Sequence, residues 1–338
     1  MKPNLLPFLR EKWDGVPPAT ATFTDKTVLV TGSNAGLGFE AAALFVTLNA
    51  TRVILGVRSV SKGLAAREQI EKRTGRVNVV DVWELDMGSY ASISAFAARV
   101  NTGLSHLHVA VLNAGITAKN YILGSEGWES TLQVNVLGTA LLGSLLLPRM
   151  KASMTTEQNL PHLVVVTSEA HRWLEAKDFP DIQQYQGRLL EAVNAKPSNI
   201  KHWDGMLQNA RSKLFAMYVT RSLAEVATSP SGEVQTVVTS VCPGACKSEL
   251  AREFKASGVG YAIGLKLFDL LLNKPTEEGA RVYIAASVVG KEGHGGWYKT
   301  TALTSPGSYV TSHEGQKMQS EMWREIATSL KASGFELS

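Results

Sequence analysis

Short runs of Val, Ile and Leu alternate with longer stretches of helical spacing through the first two-thirds of the chain. Lys26–Thr31 (KTVLVT) precedes a glycine turn and a helical pattern over Phe39–Asn49. Arg52–Val57 (RVILGV) precedes Ser61–Arg73, and Val77–Leu85 precedes Ser89–Val100. His108–Asn113 (HVAVLN) leads into a long helical pattern, Trp128–Arg149. His162–Ser168 and Val234–Val241 are two further strand-like runs. These runs are nearly continuous in apolar residues rather than alternating, which predicts strands buried on both faces of a parallel sheet. Strand and helix in alternation predict an α/β, Rossmann-type doubly wound fold of about seven strands, with helices on both faces.

Three segments depart from that pattern. Residues 1–23 form a Pro-containing lead-in, expected outside the sheet. Residues 172–208 are long and polar, and residues 249–275 follow the sixth strand. In open α/β sheets the loops beyond the carboxyl ends of the strands build the ligand crevice, so both are expected to shape a substrate pocket. Thr276 reads as an N-cap with Glu277 and Glu278 in the first turn. Gly293–Tyr298 reads as a turn into a last strand. Gln316–Leu330 carries Met318, Met322, Trp323, Ile326 and Leu330 at helical spacing, which predicts a helix packed on the body or in a dimer. The expected organisation is one domain over 24–310, with a C-terminal helix and tail over 311–338.

The 338 residues suffice for a large core, and 44% hydrophobic with 19% charged residues excludes a disordered chain. Lys plus Arg exceeds Asp plus Glu by 34 to 30, with no dense basic run, so nucleic acid is not an expected partner. The two cysteines, Cys242 and Cys246, are too few for a four-ligand zinc site, and no metal is expected. Val134–Leu147 and Ala262–Leu272 are shorter than the ~20 residues that span a bilayer. A cytoplasmic monomer or homodimer acting on a small molecule is the expectation.

Thr31-Gly32-Ser33-Asn34-Ala35-Gly36-Leu37-Gly38 follows a strand and opens a helix. Glycines there permit a tight turn and close backbone approach, and the helix start presents free N–H groups to a pyrophosphate. Context, more than the spacing alone, gives the motif its weight. NAD binders place an acid about 20 residues further on to hold the ribose 2′-hydroxyl. Here no Asp or Glu lies between Glu40 and Glu68, and the second strand ends in Val57-Arg58-Ser59-Val60-Ser61-Lys62. Arg58 and Lys62 suit a 2′-phosphate, so NADP(H) is the expected cofactor.

With these residues placed, the chain resembles the short-chain dehydrogenase/reductase family over about residues 24–300, in particular its fungal, retinol-dehydrogenase-like branch. Asn113-Ala114-Gly115 is similar to the family's NAG motif. Leu85-Asp86-Met87 resembles its adenine-contacting segment. Asn135 matches the helix asparagine whose backbone holds a relay water. Ser168 matches the catalytic serine. Pro243 and Gly244 match the PG motif beside the nicotinamide, with Ser248 where Thr is usual. Ser212-Lys213 matches the second half of Tyr-x-x-x-Lys, whose lysine anchors the nicotinamide ribose. The resemblance implies NADP(H)-dependent hydride transfer to a small, largely apolar, secondary-metabolite-like substrate.

One position departs from the family. Four residues before Lys213 stands Asn209, not Tyr. Tyr218 lies five residues past Lys213, about 500° round a helix, and points away. An Asn amide donates a hydrogen bond but is no acid near neutral pH. A positioned general acid is worth roughly 10²–10⁴ in rate. Lys213 itself, His171 or Tyr185 could replace it, or an enone or iminium substrate could make it unnecessary. Two other readings stay open: a non-redox isomerase, lyase or cyclase using Ser168, Asn209 and Lys213 as hydrogen-bond donors, and a catalytically silent NADP(H)-binding protein.

Overall fold

A computed structural model of the chain describes residues 15–154, 156, 159–181, 184, 187–246 and 273–337. The strands are β1 (Thr27–Thr31), β2 (Arg52–Val57), β3 (Val80–Glu84), β4 (Val109–Leu112), β5 (His162–Val166), β6 (Val237–Cys242), β7 (Trp297–Lys299) and β8 (Ala302–Leu303). They form one sheet in the order β3-β2-β1-β4-β5-β6-β7-β8. All neighbouring pairs up to β7 are parallel, and β8 folds back antiparallel on β7. The two-residue β8 is the one strand the apolar pattern did not predict, since a pair so short carries no period.

The helices are α1 (Gly36–Thr47), α2 (Val60–Thr74), α3 (Tyr90–Gly103), α4 (Ser130–Lys151), α5 (Leu189–Asn194), α6 (Gly205–Val226), α7 (Thr276–Ala286), α8 (Ser308–Thr311) and α9 (His313–Ala332). Successive strand residues point to opposite faces, and both faces are covered. Leu29, Ile54 and Ala110 join α3, α4, α6 and α9 in one apolar core. Val28, Val30, Val53 and Leu55 join α1, α2 and α7 in the other. This is why the strand sequences are apolar without alternation.

Helix α4 is long and apolar enough to cross a membrane, yet 83% of its apolar window is buried inside the molecule. Its second turn, Gln133–Leu137, is a π-helical stretch that the apolar spacing did not disclose. Helix α9 buries Met322, Ile326 and Leu330 on its own chain, packing against α5 and α6. The packing on the body expected of this segment is present within one chain. Helix α7 starts one residue earlier than Thr276 as N-cap implied: Pro275 takes the cap position in extended backbone, and Thr276 is the first helical residue. Proline before the first turn has no N–H to leave unbonded.

Residues 15–23 run outside the sheet, as expected, and bury Val16 and Phe23. The Phe23 ring meets Phe45 of α1 edge-on at 4.8 Å between centroids.

Candidate functional site

The strand order reverses between β1 and β4, so the crevice of a doubly wound sheet lies at the carboxyl ends of these strands. Four predicted motifs converge there. At the end of β1, Gly32 and Gly36 take left-handed backbone, with φ of 63° and 61°. Ser33 is fully buried and its Oγ donates to Val30 O at 2.8 Å, which closes the turn from inside. Ala35 occupies the N-cap of α1 with no side-chain cap, and the first turn holds no acid. The N–H groups of Gly36, Leu37 and Gly38 therefore start a helix with no anion of the protein's own. Asn34 is half-buried in the same turn.

The NAG segment after β4 locks this turn. Asn113 Nδ2 donates to Thr31 O at 2.9 Å and to Gly32 O at 3.3 Å, and Thr31 Oγ1 accepts from Ala114 N at 2.9 Å. Gly38 must be glycine: a Cβ there would lie 2.5 Å from Asn113 Nδ2 and 2.6 Å from Gly32 O. The remaining Asn113 oxygen accepts from the Tyr283 hydroxyl at 3.1 Å. Tyr283 comes from α7, is completely buried, and escaped the sequence reading because it stands far away in a helical apolar pattern.

At the end of β2, Arg58 and Lys62 are exposed, and neither forms an ion pair among the described residues. Ser59 is the N-cap of α2 and accepts from Lys62 N at 3.4 Å. After β3, Asp86 Oδ1 accepts from Gly88 N at 2.9 Å, and its Oδ2 has no hydrogen bond among the described residues. Met87 is buried, with its carbonyl packed against Gly138 of α4.

The residues expected to be catalytic lie at the end of β5 and on α6, with the PG turn after β6. Thr167 donates through both N and Oγ1 to Val241 O, at 2.8 and 3.2 Å, which fixes the start of the following turn. Ser168 caps the short helical turn Glu169–Trp173: its Oγ accepts from Ala170 N at 3.2 Å, and its hydroxyl proton has no acceptor among the described residues. Glu169 is held by Lys299 of β7 at 2.7 Å. Both His171 ring nitrogens lie against backbone carbonyls, Ser168 O at 2.6 Å and Pro306 O at 2.8 Å, and the neutral imidazole donates to one of them. Those bonds favour the imidazolium, but burial outweighs them and lowers its pKa. His171 thus braces the backbone below Ser168 and has no free nitrogen to offer a substrate.

Asn209 and Lys213 lie one turn apart on α6, both nearly fully buried. Lys213 Nζ donates to Val166 O at 3.1 Å, and it lies beside Gly115. Burial pushes its pKa down to about 8. Asn135, inside the π-helical stretch, spends its whole amide on protein: Nδ2 donates to Ile116 O at 3.0 Å and Ser212 Oγ at 2.9 Å, and Oδ1 accepts from Ile116 N at 2.9 Å. Ser212 Oγ passes the chain on to Asn209 O at 2.7 Å. Asn209 Oδ1 is buried with no hydrogen-bond partner among the described residues.

Gly244, after β6, is left-handed with φ of 77°, beside Pro243 in the turn that the PG resemblance pointed to. Cys242 and Cys246 form no disulfide, and Cys246 Sγ donates to Pro243 O at 3.4 Å. Ser248, Tyr185 and residues 249–272 lie outside the described residues. No group of His, Cys, Asp and Glu that could hold a metal occurs among the described residues.

The model of the short chain dehydrogenase family matches residues 26–174. The chain is 38% identical to the short-chain dehydrogenase/reductase ffsI of Aspergillus flavipes, over 93% of this chain and 89% of that protein. It is 37% identical to the short-chain dehydrogenase/reductase phmF of Phaeosphaeria nodorum, over 96% of this chain and 92% of that one. Its fold is similar to the crystal structure of an uncharacterised protein from Mycobacterium paratuberculosis, with a TM-score of 0.65 and 24% identity, covering 94% of this chain and 97% of that one.

Proposed function

The chain belongs to the short-chain dehydrogenase/reductase family, and on that premise we propose that it is an NADP(H)-binding oxidoreductase of a small, largely apolar carbonyl, enone or iminium compound, with Lys213 standing in for the usual tyrosine as proton donor. The observation that carries this reading is the Lys213 ammonium: buried, aimed at the end of β5, and lowered to a pKa of about 8.

The residues fit a nicotinamide dinucleotide. The uncapped start of α1 offers N–H groups to a pyrophosphate, and the glycines let the turn close on Asn113 and Ala114. Arg58 and Lys62, in no ion pair among the described residues, supply charge for a 2′-phosphate. The open Oδ2 of Asp86 suits the adenine amine. When bound, the nicotinamide supplies or takes up the hydride.

The remaining chemistry belongs to this chain. The Ser168 hydroxyl, with its proton uncommitted, donates to the substrate oxygen and polarises it. Asn209 orients the substrate by hydrogen bonding and transfers no proton. The Lys213 ammonium, acidified by burial, transfers a proton at neutral pH more readily than an ordinary lysine.

The test follows NADPH oxidation with ketone, enone and iminium panels, for the native chain, Asn209→Tyr and Lys213→Met. The expected result is turnover by the native chain that falls as pH rises through about 8, as Lys213 loses its proton. Asn209→Tyr raises the ketone rate by ~10²-fold or more, and Lys213→Met abolishes turnover. Bound NADPH that is never consumed would sink the redox reading and favour an isomerase, lyase or cyclase. Native turnover that survives Lys213→Met would sink the role of Lys213.

A further inference from the structure

The segment after β4 and the segment that leads into α6 are stitched together at the carboxyl end of the sheet. The Tyr121 hydroxyl donates to Asn194 O at 3.2 Å, Asn194 Nδ2 donates to Gly127 O at 3.2 Å, and Asn194 Oδ1 accepts from Glu129 N at 2.7 Å. The rings of Tyr121 and Trp203 meet edge-on with 5.2 Å between centroids. On this fixed frame stand Ile122, Leu123, Ile200 and Met206, with relative exposures of 50%, 57%, 51% and 49%. They are four of the ten large apolar residues exposed among the described residues, and each lies within three residues of Tyr121 or Trp203. Consecutive Cα atoms are ~3.8 Å apart, so all four lie within ~11 Å along the chain of one ring contact. Single exposed apolar residues are ordinary at a surface, but four around one contact form a patch.

The charges around the patch choose its partner. Lys119, Lys196 and Lys201 are exposed beside it, and Lys196 and Lys201 form no ion pair among the described residues. The acids of the same segments are turned elsewhere. Glu129 is fully buried, Glu126 accepts from Tyr90 N at 2.9 Å, and Asp204 caps α6 by accepting from Met206 N and Leu207 N. An apolar centre with a lysine rim is unlike a protein-binding face, where lysine is depleted. It matches an anionic lipid surface. There apolar side chains enter the headgroup boundary, lysines meet lipid phosphates, and Tyr and Trp sit at the level between.

We propose that this face docks on the surface of an anionic lipid bilayer, with Ile122, Leu123, Ile200 and Met206 entering the headgroup boundary and Lys196 and Lys201 meeting lipid phosphates. Its place gives the docking a use. Residues 119–129 run from β4 to α4, and Met206 stands three residues before Asn209 on α6, so the docked face borders the crevice at the carboxyl ends of the strands. An apolar compound dissolved in the bilayer would reach that crevice without crossing water. The docking holds whatever chemistry follows and does not depend on the redox reading.

Co-flotation of the full-length chain with vesicles tests it, using phosphatidylcholine alone and a ~3:1 mixture with phosphatidylserine. The chain is expected to float with the mixed vesicles, much less with phosphatidylcholine, and less as salt is raised. Lys196→Gln with Lys201→Gln lowers the partition coefficient about fivefold for each lysine. Ile122→Ser with Leu123→Ser lowers it ~10-fold or more, because their apolar area no longer leaves water. Lys72→Gln with Val77→Ser, at the opposite end of the sheet, changes it by less than about twofold. All of these side chains are exposed, so melting temperatures match the native chain and a loss of binding is not a loss of fold. A native chain that stays below the mixed vesicles overturns the proposal. So does flotation that the patch variants retain, which would place the membrane contact elsewhere in the chain. A dimer that Ile122→Ser with Leu123→Ser splits, with flotation unaffected, would give the patch to a second copy instead.

Discussion

Gly38 shows how one missing side chain sets up a site. It lies in the first turn of α1, where the chain's own backbone leaves no room for a methyl group beside Gly32 O. Gly36 differs: its left-handed φ is the constraint, and nothing lies within 4 Å of a Cβ there. The two glycines therefore fail differently. Gly38→Ala forces the turn away from Asn113, and overpacking of this kind costs ~1–3 kcal/mol. Gly36→Asn keeps the turn, because Asn tolerates left-handed backbone. The expected outcome is a melting temperature lowered clearly by Gly38→Ala and little by Gly36→Asn, with NADPH affinity lost in the former. Equal effects would mean that backbone conformation, not close approach, is what the cradle requires. The same contrast holds for Asn209 and Lys213. Asn209 supplies geometry, whereas Lys213 supplies a proton whose availability burial has tuned.

Among the elements, α5 depends most on help from elsewhere. It has six residues, too few to be stable alone, and Arg188 at its N-cap makes no capping bond. Glu325 of α9 replaces the cap, accepting from Leu189 N at 2.7 Å, Leu190 N at 2.9 Å and Glu191 N at 3.3 Å. Glu325→Ala should lower the denaturation midpoint by the equivalent of ~1–2 kcal/mol, the usual worth of a cap. Amide exchange over 187–195 should quicken more than exchange in β1 or β4. Uniform quickening would mean that α5 is held by the apolar core alone. This element also marks a boundary of what the sequence discloses. The strands and large helices were legible because burial on both faces writes itself as apolar runs. The glycine turn was legible because strand, turn and helix stand next to one another. The link from α9 to α5 was not, since a glutamate at position 325 looks like any solvated helix residue. Buried Glu129 is similar: it caps the start of α4 and accepts from Gln208 of α6, 79 residues away. Lys274 follows the apolar run Ala262–Leu272, and nothing in the sequence marks the lysine itself as buried. The π-helical stretch around Asn135 keeps a helical apolar pattern. What stayed hidden in each case is a pairing between residues distant in sequence.

Across the described residues, four partly or fully buried histidines are held neutral, and two of them accept hydrogen bonds from strand backbone. His108 Nδ1 accepts from Thr27 N at 3.0 Å, and His294 Nδ1 accepts from Val238 N at 3.2 Å, so a proton on either nitrogen would break a bond to the sheet. His162 and His171 bond to carbonyls of distant segments, Val289 and Pro306. Burial lowers the pKa of all four, that of His108 to about 4 from the ordinary 6.5. The unfolded chain therefore binds protons that the folded chain refuses, beginning near pH 6.5 as acid is added. Stability conferred by these groups is complete above that pH and is lost as pH falls toward 4. For His108 the difference corresponds to at most ~3 kcal/mol, and its half-exposed position reduces this to ~1–2 kcal/mol. Glu325, raised by burial, works in the opposite direction, since its stabilisation is present at low pH and lost as pH rises through its folded value. Four histidines against one carboxyl leave a net loss toward acid. Urea midpoints measured from pH 7.5 to pH 4.5 should fall steadily below pH 6.5, and His108→Gln with His294→Asn should flatten that slope. A midpoint flat across the range would mean that these imidazoles carry the proton in the folded chain, with the sheet bonds at Thr27 and Val238 remade another way.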